Sequence, residues 1–230
     1  MGMRQPAFHP AFEKLPQSLP VFPLPGVLLL PSGRLPLNVF EPRYLNMVQD
    51  ALADPERLIG MIQPADPASQ EARPGLQRVG CAGRIAAFQE TDDGRFLINL
   101  TGIIRFRVGE EIDTVRGYRR VRAEYEPFRH DLDAWDDSAA FDKDRLIGAL
   151  KPYFRLKGID ADLESLDACC DATLVTTLAM SCPFSPAEQQ ALLALHPDLG
   201  RIVLYVELAH RRLSAFRVLN RSVHGPRRSA

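Results

Sequence analysis

Proline and glycine interrupt the apolar sequence every few residues between Leu19 and Phe40, which leaves no room there for a helix of ordinary length. Three short apolar runs lie between the interruptions, at residues 19–22, 27–30 and 35–40. Their branched and apolar side chains suit strands in which proline is confined to edges or bulges. Gly26 and Gly33 are natural turn residues between the runs. The sequence therefore predicts three consecutive short strands.

The apolar period changes after Phe40. Pro42 suits the first turn of a helix, and apolar residues then recur every three or four positions up to Ala53, at Tyr44, Leu45, Val48 and Leu52. One amphipathic helix is predicted there. Residues 58–62 return to strand character, whereas residues 64–74 carry the Asp, Ser, Gln and Pro typical of an exposed loop.

The most regular pattern is a hairpin. Residues 79–90 and 95–108 flank the turn sequence Asp92-Asp93-Gly94, and Phe96, Ile98 and Leu100 alternate along the second strand. Residues 118–125 alternate as well, with Val121, Ala123 and Tyr125 on one face and Arg120 and Arg122 on the other.

Composition changes after Phe128 to an acidic, strand-poor stretch followed by helical periodicity. Helices are predicted over residues 138–156, 162–180 (as one helix or two short ones), 185–196 and 198–218. The third has the clearest start, because Ser185, Pro186 and Glu188 form the pattern of a capping box with proline at the first helical position. We therefore expect a flexible N-terminal arm over residues 1–18, a β subdomain over 19–128, a helical subdomain over 129–220 and a basic tail over 221–230.

Charge argues against a dedicated nucleic-acid binder. Basic and acidic residues number 15 and 15 before Pro127, and 13 and 14 after it. Neither half has the basic excess typical of nucleic-acid binding. The first 25 residues contain six prolines and no continuous apolar run, so no signal peptide or membrane span is predicted and we expect a cytoplasmic protein.

The four cysteines indicate neither a metal site nor a disulfide framework. They form no C-x-x-C pair and have no paired histidines, and they are Cys81, Cys169, Cys170 and Cys182. We expect reduced cysteines used for packing, and no metal or other cofactor.

Several motifs, in one order along the chain, resemble the LON domain family. They are LPVFPLPGVLLLP at residues 19–31, LPLNVFEPRY at 35–44, LIGMI at 58–62, VGCAGRI at 79–85, LTGIIRF at 100–106 and MSCPFSPAE at 180–188. Cys81 and Gly83 depart from the family's "VGTxARI" strand, and both are small. The resemblance covers residues 17–218. It implies an α+β fold, in which a PUA-like β pseudo-barrel of about six strands with one inserted helix precedes a C-terminal α-helical bundle.

In full-length Lon proteases this domain helps to capture substrates and to organise the hexamer, so the resemblance implies a substrate-binding protein. No ATPase or peptidase segment is recognised here. The only lysines are Lys14, Lys143, Lys151 and Lys157, and none follows the glycine that a phosphate-binding loop requires. They also follow no nucleophile-bearing motif, which argues against a Ser-Lys dyad. We therefore expect a stand-alone, non-catalytic member of the family.

The leading hypothesis is a module that binds unfolded or extended polypeptide in an apolar groove or at an open strand edge, in partnership with an ATP-dependent protease or a chaperone. Candidate binding residues surround the first strands and the helix, and they are Phe22, Leu24, Phe40, Glu41, Arg43, Tyr44 and Met61. Glu41 and Arg43 have an alternative role, which is to lock the junction between strand and helix. Arg105 is expected to face solvent or a neighbouring acid.

The alternative hypothesis is RNA binding. PUA-like barrels also occur in RNA-modifying proteins, and the sequence YRRVRA at residues 118–123 places Arg119, Arg120 and Arg122 beside aromatic residues. The neutral charge of this half argues against it, so nucleic acid is not the expected partner.

Overall fold

The computed structural model describes residues 9–113, 116–133, 171–182 and 184–195, together with positions 144, 147, 148 and 155. In chain order the described elements are a 3-10 helix at Phe12–Lys14, β1 (Ser18–Pro23), β2 (Arg34–Val39), α1 (Pro42–Ala53), β3 (Leu58–Ile62), β4 (Val79–Glu90), β5 (Phe96–Ile112), β6 (Arg119–Glu124), a 3-10 helix at Glu126–Leu132, α2 (Asp171–Ser181) and α3 (Pro186–Leu195).

Five strands close into a barrel in the order β5-β4-β3-β1-β6, and β6 returns to pair with β5. Only the pairing of β1 with β3 is parallel. Closure is possible because β5 is 17 residues long, so that its first half pairs with β2 and β4 while its end pairs with β6. The sheet has six strands in all, with α1 inserted between β2 and β3, which agrees with the predicted α+β class.

A three-stranded ribbon extends from this barrel. It consists of β2, the first half of β5 (residues 96–101) and the end of β4 (residues 86–90). We call these residues the ribbon. Register shifts in the pairing of β4 with β5 occur between Ala82 and Gly83 and between Ile85 and Ala87, so the long hairpin is irregular where it passes from the barrel to the ribbon.

Phe106 fills the barrel interior. Its ring is fully buried among Leu19, Val21, Ile104 and Val121. Gly60 and Gly80 face the ring from β3 and β4, where an added Cβ atom would lie 2.9 Å and 2.6 Å from the Phe106 Cζ atom. Glycine at these two positions makes the space that the large side chain occupies.

A second core covers the outside of the barrel. Tyr44, Met47, Val48 and Ala51 of α1 are buried there, whereas Leu45 and Leu52, which the helical spacing also predicted to be on the apolar face, are only partly buried. Leu192 and Leu193 of α3 belong to the same core. The capping box is confirmed, because the Ser185 backbone N–H donates to Glu188 Oε2 at 2.8 Å and the Glu188 backbone N–H donates to Ser185 Oγ at 3.4 Å.

The predicted strand at residues 27–30 is wrong. Leu28, Leu29 and Leu30 are buried but belong to no strand, and they lie between turns in which Gly26 and Ser32 have φ values of +71° and +64°. A run of leucines can fill a core from an irregular segment, and the sequence pattern does not distinguish this from a strand.

Residues 9–17, part of the segment expected to be a flexible arm, contact the barrel. Phe12 and Leu15 pack against the barrel core, and the Tyr125 hydroxyl donates to the Pro16 carbonyl at 3.1 Å. Residues 1–8 lie outside the described residues. The same is true of the predicted helix at 198–218, the basic tail and most of the helix at 138–156, so the structure describes only α2 and α3 of the predicted C-terminal bundle.

Candidate functional site

Three of the seven candidate residues, Phe22, Tyr44 and Met61, lie in the core. Their exposed fractions are between 3% and 6%. The rings of Phe22 and Tyr44 contact each other with centroids 4.1 Å apart, and Met61 is opposite Phe22 in the parallel register of β1 and β3. These side chains therefore contribute to core packing and do not line an open groove.

Glu41 and Arg43 form a surface ion pair at the start of α1. Arg43 Nη2 lies 2.8 Å from Glu41 Oε2, and its guanidinium lies 4.6 Å above the centre of the Tyr44 ring. Glu41 occupies the N-cap position, but its side chain caps no backbone N–H group. Both side chains remain close to half exposed, so the pair is accessible from solvent.

Phe40 is the candidate residue most open to solvent. It follows β2 directly, and 63% of its surface is exposed. Leu24 is only partly buried, and its backbone N–H donates to the Ile62 carbonyl at 2.9 Å, which continues the pairing of β1 with β3. Among the predicted residues, the accessible ones are thus Phe40, Glu41 and Arg43, with Leu24 in part.

The exposed large hydrophobic residues of the described chain all lie on or beside the ribbon. Phe40 follows β2, Phe88 is 38% exposed on β4, and Leu97 is 39% exposed on β5. Phe88 contacts the Phe96 ring edge-to-face, with centroids 5.0 Å apart. By strand alternation Leu97 points to the opposite face from Phe96, so both faces of the ribbon carry exposed apolar surface. Sequence reasoning missed Phe88 and Leu97, because strand alternation alone does not show where a sheet leaves the barrel.

The ribbon has two strand edges without a partner strand in the described chain. β2 pairs only with β5, and β4 pairs with β3 only over residues 81–84. Pro36 lies in the middle of β2, where it has no N–H to donate, and Arg34 adds a charge to that strand. Residues 86–90 of β4 contain neither proline nor a basic residue. The two edges therefore differ in their capacity to pair with another strand.

A family model for the ATP-dependent protease La (LON) substrate-binding domain matches residues 18–208 of this chain. The chain belongs to this family. The match confirms the resemblance that the strand motifs indicate.

Similar proteins are Lon proteases. Over 111 residues this LON domain is 31% identical to Lon protease 2 of Sorangium cellulosum, a match that covers 48% of this chain and 14% of that protease. Over 101 residues it is 31% identical to Lon protease 2 of Myxococcus xanthus, covering 43% of this chain and 12% of that protease. The matched stretch is thus a small part of either protease.

A solved structure, the N-terminal domain of the Lon protease of the Mycobacterium avium complex, has a similar fold. It aligns with a TM-score of 0.52 over 82% of this chain and 95% of that domain, at 15% identity. At this identity the likeness concerns the fold alone. It agrees with the α+β architecture described above.

The arginines of β6 in this LON domain do not form an open basic patch. Arg119 is buried and donates to both carboxylate oxygens of Glu111, and Arg122 Nη2 lies 3.0 Å from Glu110 Oε1. Arg120 donates to the Ser18 carbonyl at 3.2 Å. Each of the three arginines that suggested RNA therefore already has a carboxylate or carbonyl partner in the barrel.

Arg105 has a structural role that the sequence predicted only in part. Its guanidinium donates to both carboxylate oxygens of Asp131, at 2.9 Å and 2.8 Å, and to the Leu193 carbonyl at 3.1 Å. The Arg105 side chain therefore faces a neighbouring acid, which was one of the two alternatives that the sequence predicted. The pair lies in the protein interior, however, and not at the surface. The bond to Leu193 places positive charge at the C-terminal end of α3 and joins this helix to β5.

The described cysteine thiols are buried. Burial raises the pKa of the Cys182 thiol to about 12 and raises the pKa of the Cys81 thiol well above its ordinary value. No group of three or more His, Cys, Asp or Glu side chains within the described ranges is arranged to hold a metal ion. In the same residues, no helix is both long and apolar enough to cross a membrane.

Proposed function

We propose that this LON domain binds extended or unfolded polypeptide without cleaving it, and that the ribbon and the neighbouring Phe40, Glu41 and Arg43 form the binding surface. The observation that carries this proposal is the position of Phe40, Phe88 and Leu97, which remain exposed on or beside one three-stranded extension while the rest of the large apolar side chains in the described residues are buried or partly buried. Exposed apolar surface gathered in one region is typical of an interaction site.

Membership of the substrate-binding family supports a polypeptide as the ligand. The matches to Lon proteases further suggest a partner of the same kind, an ATP-dependent protease or a chaperone that receives the bound chain, and hence a role in protein quality control. Glu41 and Arg43 add one charge of each sign beside Phe40, and these charges can pair with polar groups of a bound chain.

Equilibrium binding to a fluorescently labelled, natively unfolded protein such as casein tests the proposal. We expect weak binding, with a dissociation constant of about 10 μM or more for so small a surface. Phe40→Ser should weaken it by a factor of about 5 to 10, because the substitution removes apolar contact area without disturbing the core. Gln70→Ser, in the exposed loop before β4, is the control and should leave binding unchanged.

Two results would oppose the proposal. If a Phe40→Ser, Phe88→Ser double variant that still unfolds cooperatively binds casein as the wild type does, the ribbon is not the binding site. Binding of single-stranded RNA that falls steeply with salt, in the absence of any binding to casein, would replace the proposed function by the alternative one.

A further inference from the structure

The outer edge of β4 at residues 86–90 is an unblocked strand edge. β4 pairs with β3 as far as Arg84, opposite Leu58, and the Ile85 N–H then donates to the Arg57 carbonyl at 2.9 Å. Beyond this bond, β5 is the strand beside β4, and no other strand of the described chain pairs with residues 86–90.

Hydrogen-bond alternation identifies the backbone groups at this edge. The Thr91 N–H donates to the Arg95 carbonyl across the hairpin, so Thr91 faces β5. In an antiparallel ladder the facing direction alternates, which directs Ala87 and Gln89 toward β5 and directs the N–H and C=O groups of Phe88 and Glu90 outward. The irregularity between Ile85 and Ala87 accounts for the outward Ile85 N–H. Two donors and two acceptors therefore lie along the free edge at the spacing of a strand.

We propose that this edge receives the client polypeptide as an added antiparallel or parallel strand, so that this LON domain selects extended segments by their main-chain hydrogen bonds. This inference rests on the proposed function and specifies its binding mode. The other free edge, on β2, lacks a central donor because of Pro36, whereas the β4 edge has no such block.

Side chains beside the edge indicate what sequence the added strand prefers. The Phe88 ring is partly exposed and packs against Phe96, so it provides an apolar surface for an alternate side chain of the client. Glu90 and Asp92 are exposed and have no ion-pair partner among the described residues, while Asp93 pairs with Arg95 at 2.8 Å. The preferred client is therefore an apolar segment with a basic residue next to the hairpin turn.

The size of the edge favours a transient client over a second copy of the chain. A stable protein interface buries about 1,200 Å² or more. Pairing along five residues cannot reach that area, so two copies joined only here would separate. A client that is captured and passed on requires only weak binding.

Two N-methylated peptides test the binding mode. The parent is a labelled eight-residue peptide of alternating valine and threonine with a lysine at each end, and the variants carry N-methyl groups on either the odd or the even positions. Methyl groups that point toward β4 remove donors, whereas those on the other positions point to solvent. We expect one variant to lose binding by a factor of at least about 10, while the other stays within about twofold of the parent.

Hydrogen exchange locates the bound strand. With the parent peptide present, exchange of the Phe88 and Glu90 amides should slow by a factor of about 10, whereas the Ala87 and Gln89 amides, already bonded to β5, should not change. Slower exchange at Arg34 and Asn38 of β2 instead would overturn the proposal.

The remaining outcomes separate this inference from the proposed function. If both methylated peptides bind as the parent does, polypeptide binding stands and strand addition fails. If neither the parent peptide nor casein binds, the proposed function itself fails. Stable dimers that Glu90→Lys disrupts would show that the edge is used by a second copy, and this also would overturn the inference.

Discussion

The Arg105 guanidinium and the Asp131 carboxylate form a bidentate ion pair in which the two side chains are 3% and 0% exposed. Asp131 also accepts the backbone N–H of Arg105 at 3.0 Å, and the Phe128 ring lies 4.6 Å from the guanidinium carbon. Through Leu193 the same arginine holds α3. One residue thus connects the barrel, the 3-10 helix after β6 and the helical part.

Removal of one member of this ion pair should strongly destabilise the folded protein. Arg105→Met leaves the Asp131 carboxylate buried without its partner, and we expect a loss of about 3 to 5 kcal/mol in the free energy of unfolding, measured by urea denaturation. The control is Arg122→Met, which removes an exposed pair with Glu110 and should cost less than about 1 kcal/mol. Equal losses of unfolding free energy in the two variants would show that the buried ion pair stabilises the protein no more than the exposed one.

The Gly60→Ala substitution should overpack the barrel and lower the free energy of unfolding by about 1 to 3 kcal/mol. Its Cβ atom would lie 2.7 Å from Leu19 Cδ2 and 2.9 Å from Phe106 Cζ. Since both obstacles are side chains, Phe106→Leu should recover part of the loss in a double-mutant cycle of thermal unfolding.

Two further glycines provide the comparison. In Gly80→Ala the Cβ atom would lie 2.6 Å from the Met61 carbonyl oxygen, so Phe106→Leu should not rescue it. Gly75→Ala meets only Ala65 at 3.5 Å and should be close to neutral. Additive effects for Gly60 and Phe106 would contradict the packing argument.

Glu111 should make stability depend on pH. Hydrogen bonds from Arg119 hold the pKa of the Glu111 carboxyl below its ordinary value of 4.5. A carboxyl with a lowered folded-state pKa stabilises the protein above its unfolded pKa, and this contribution is lost as the pH falls through the folded pKa. The difference in unfolding free energy between wild type and Glu111→Gln should therefore be full at about pH 6 and shrink toward about pH 3. A difference that stays constant over this range would contradict the assignment.

Cys182 should resist alkylation in the folded protein. Burial raises the pKa of its thiol to about 12, so the reactive thiolate is scarce at about pH 8. Pulse alkylation followed by mass spectrometry of peptides should detect little label on Cys182 in native buffer and full label in urea. Cys81, which is buried as well, provides a second site with the same expectation. Native labelling as rapid as labelling in urea would show that the thiol is accessible.

Local patterns predicted most of the barrel. The change from Pro-interrupted runs to helical spacing at Pro42 located α1, and the turn Asp92-Asp93-Gly94 located the long hairpin, because turn chemistry and apolar period are properties of neighbouring residues. The same reasoning failed at residues 27–30, where burial of three successive leucines comes from contacts with elements distant in the sequence.

The candidate site was predicted less well for the same reason. Phe40, Glu41 and Arg43 are accessible, whereas Phe22, Tyr44 and Met61 are core residues, and an apolar residue near a strand has the same sequence pattern in either role.

The sequence alone determined that this chain has strands before helices, where α1 and the capping box begin, and which family it belongs to, because these depend on short-range spacing and on ordered motifs. Only the tertiary structure decided that β5 reaches from β2 to β6, that Arg105 is buried against Asp131, and that a ribbon leaves the barrel with one unblocked edge. Strand register and burial arise from pairings between residues far apart along the chain, and spacing within a segment does not encode them.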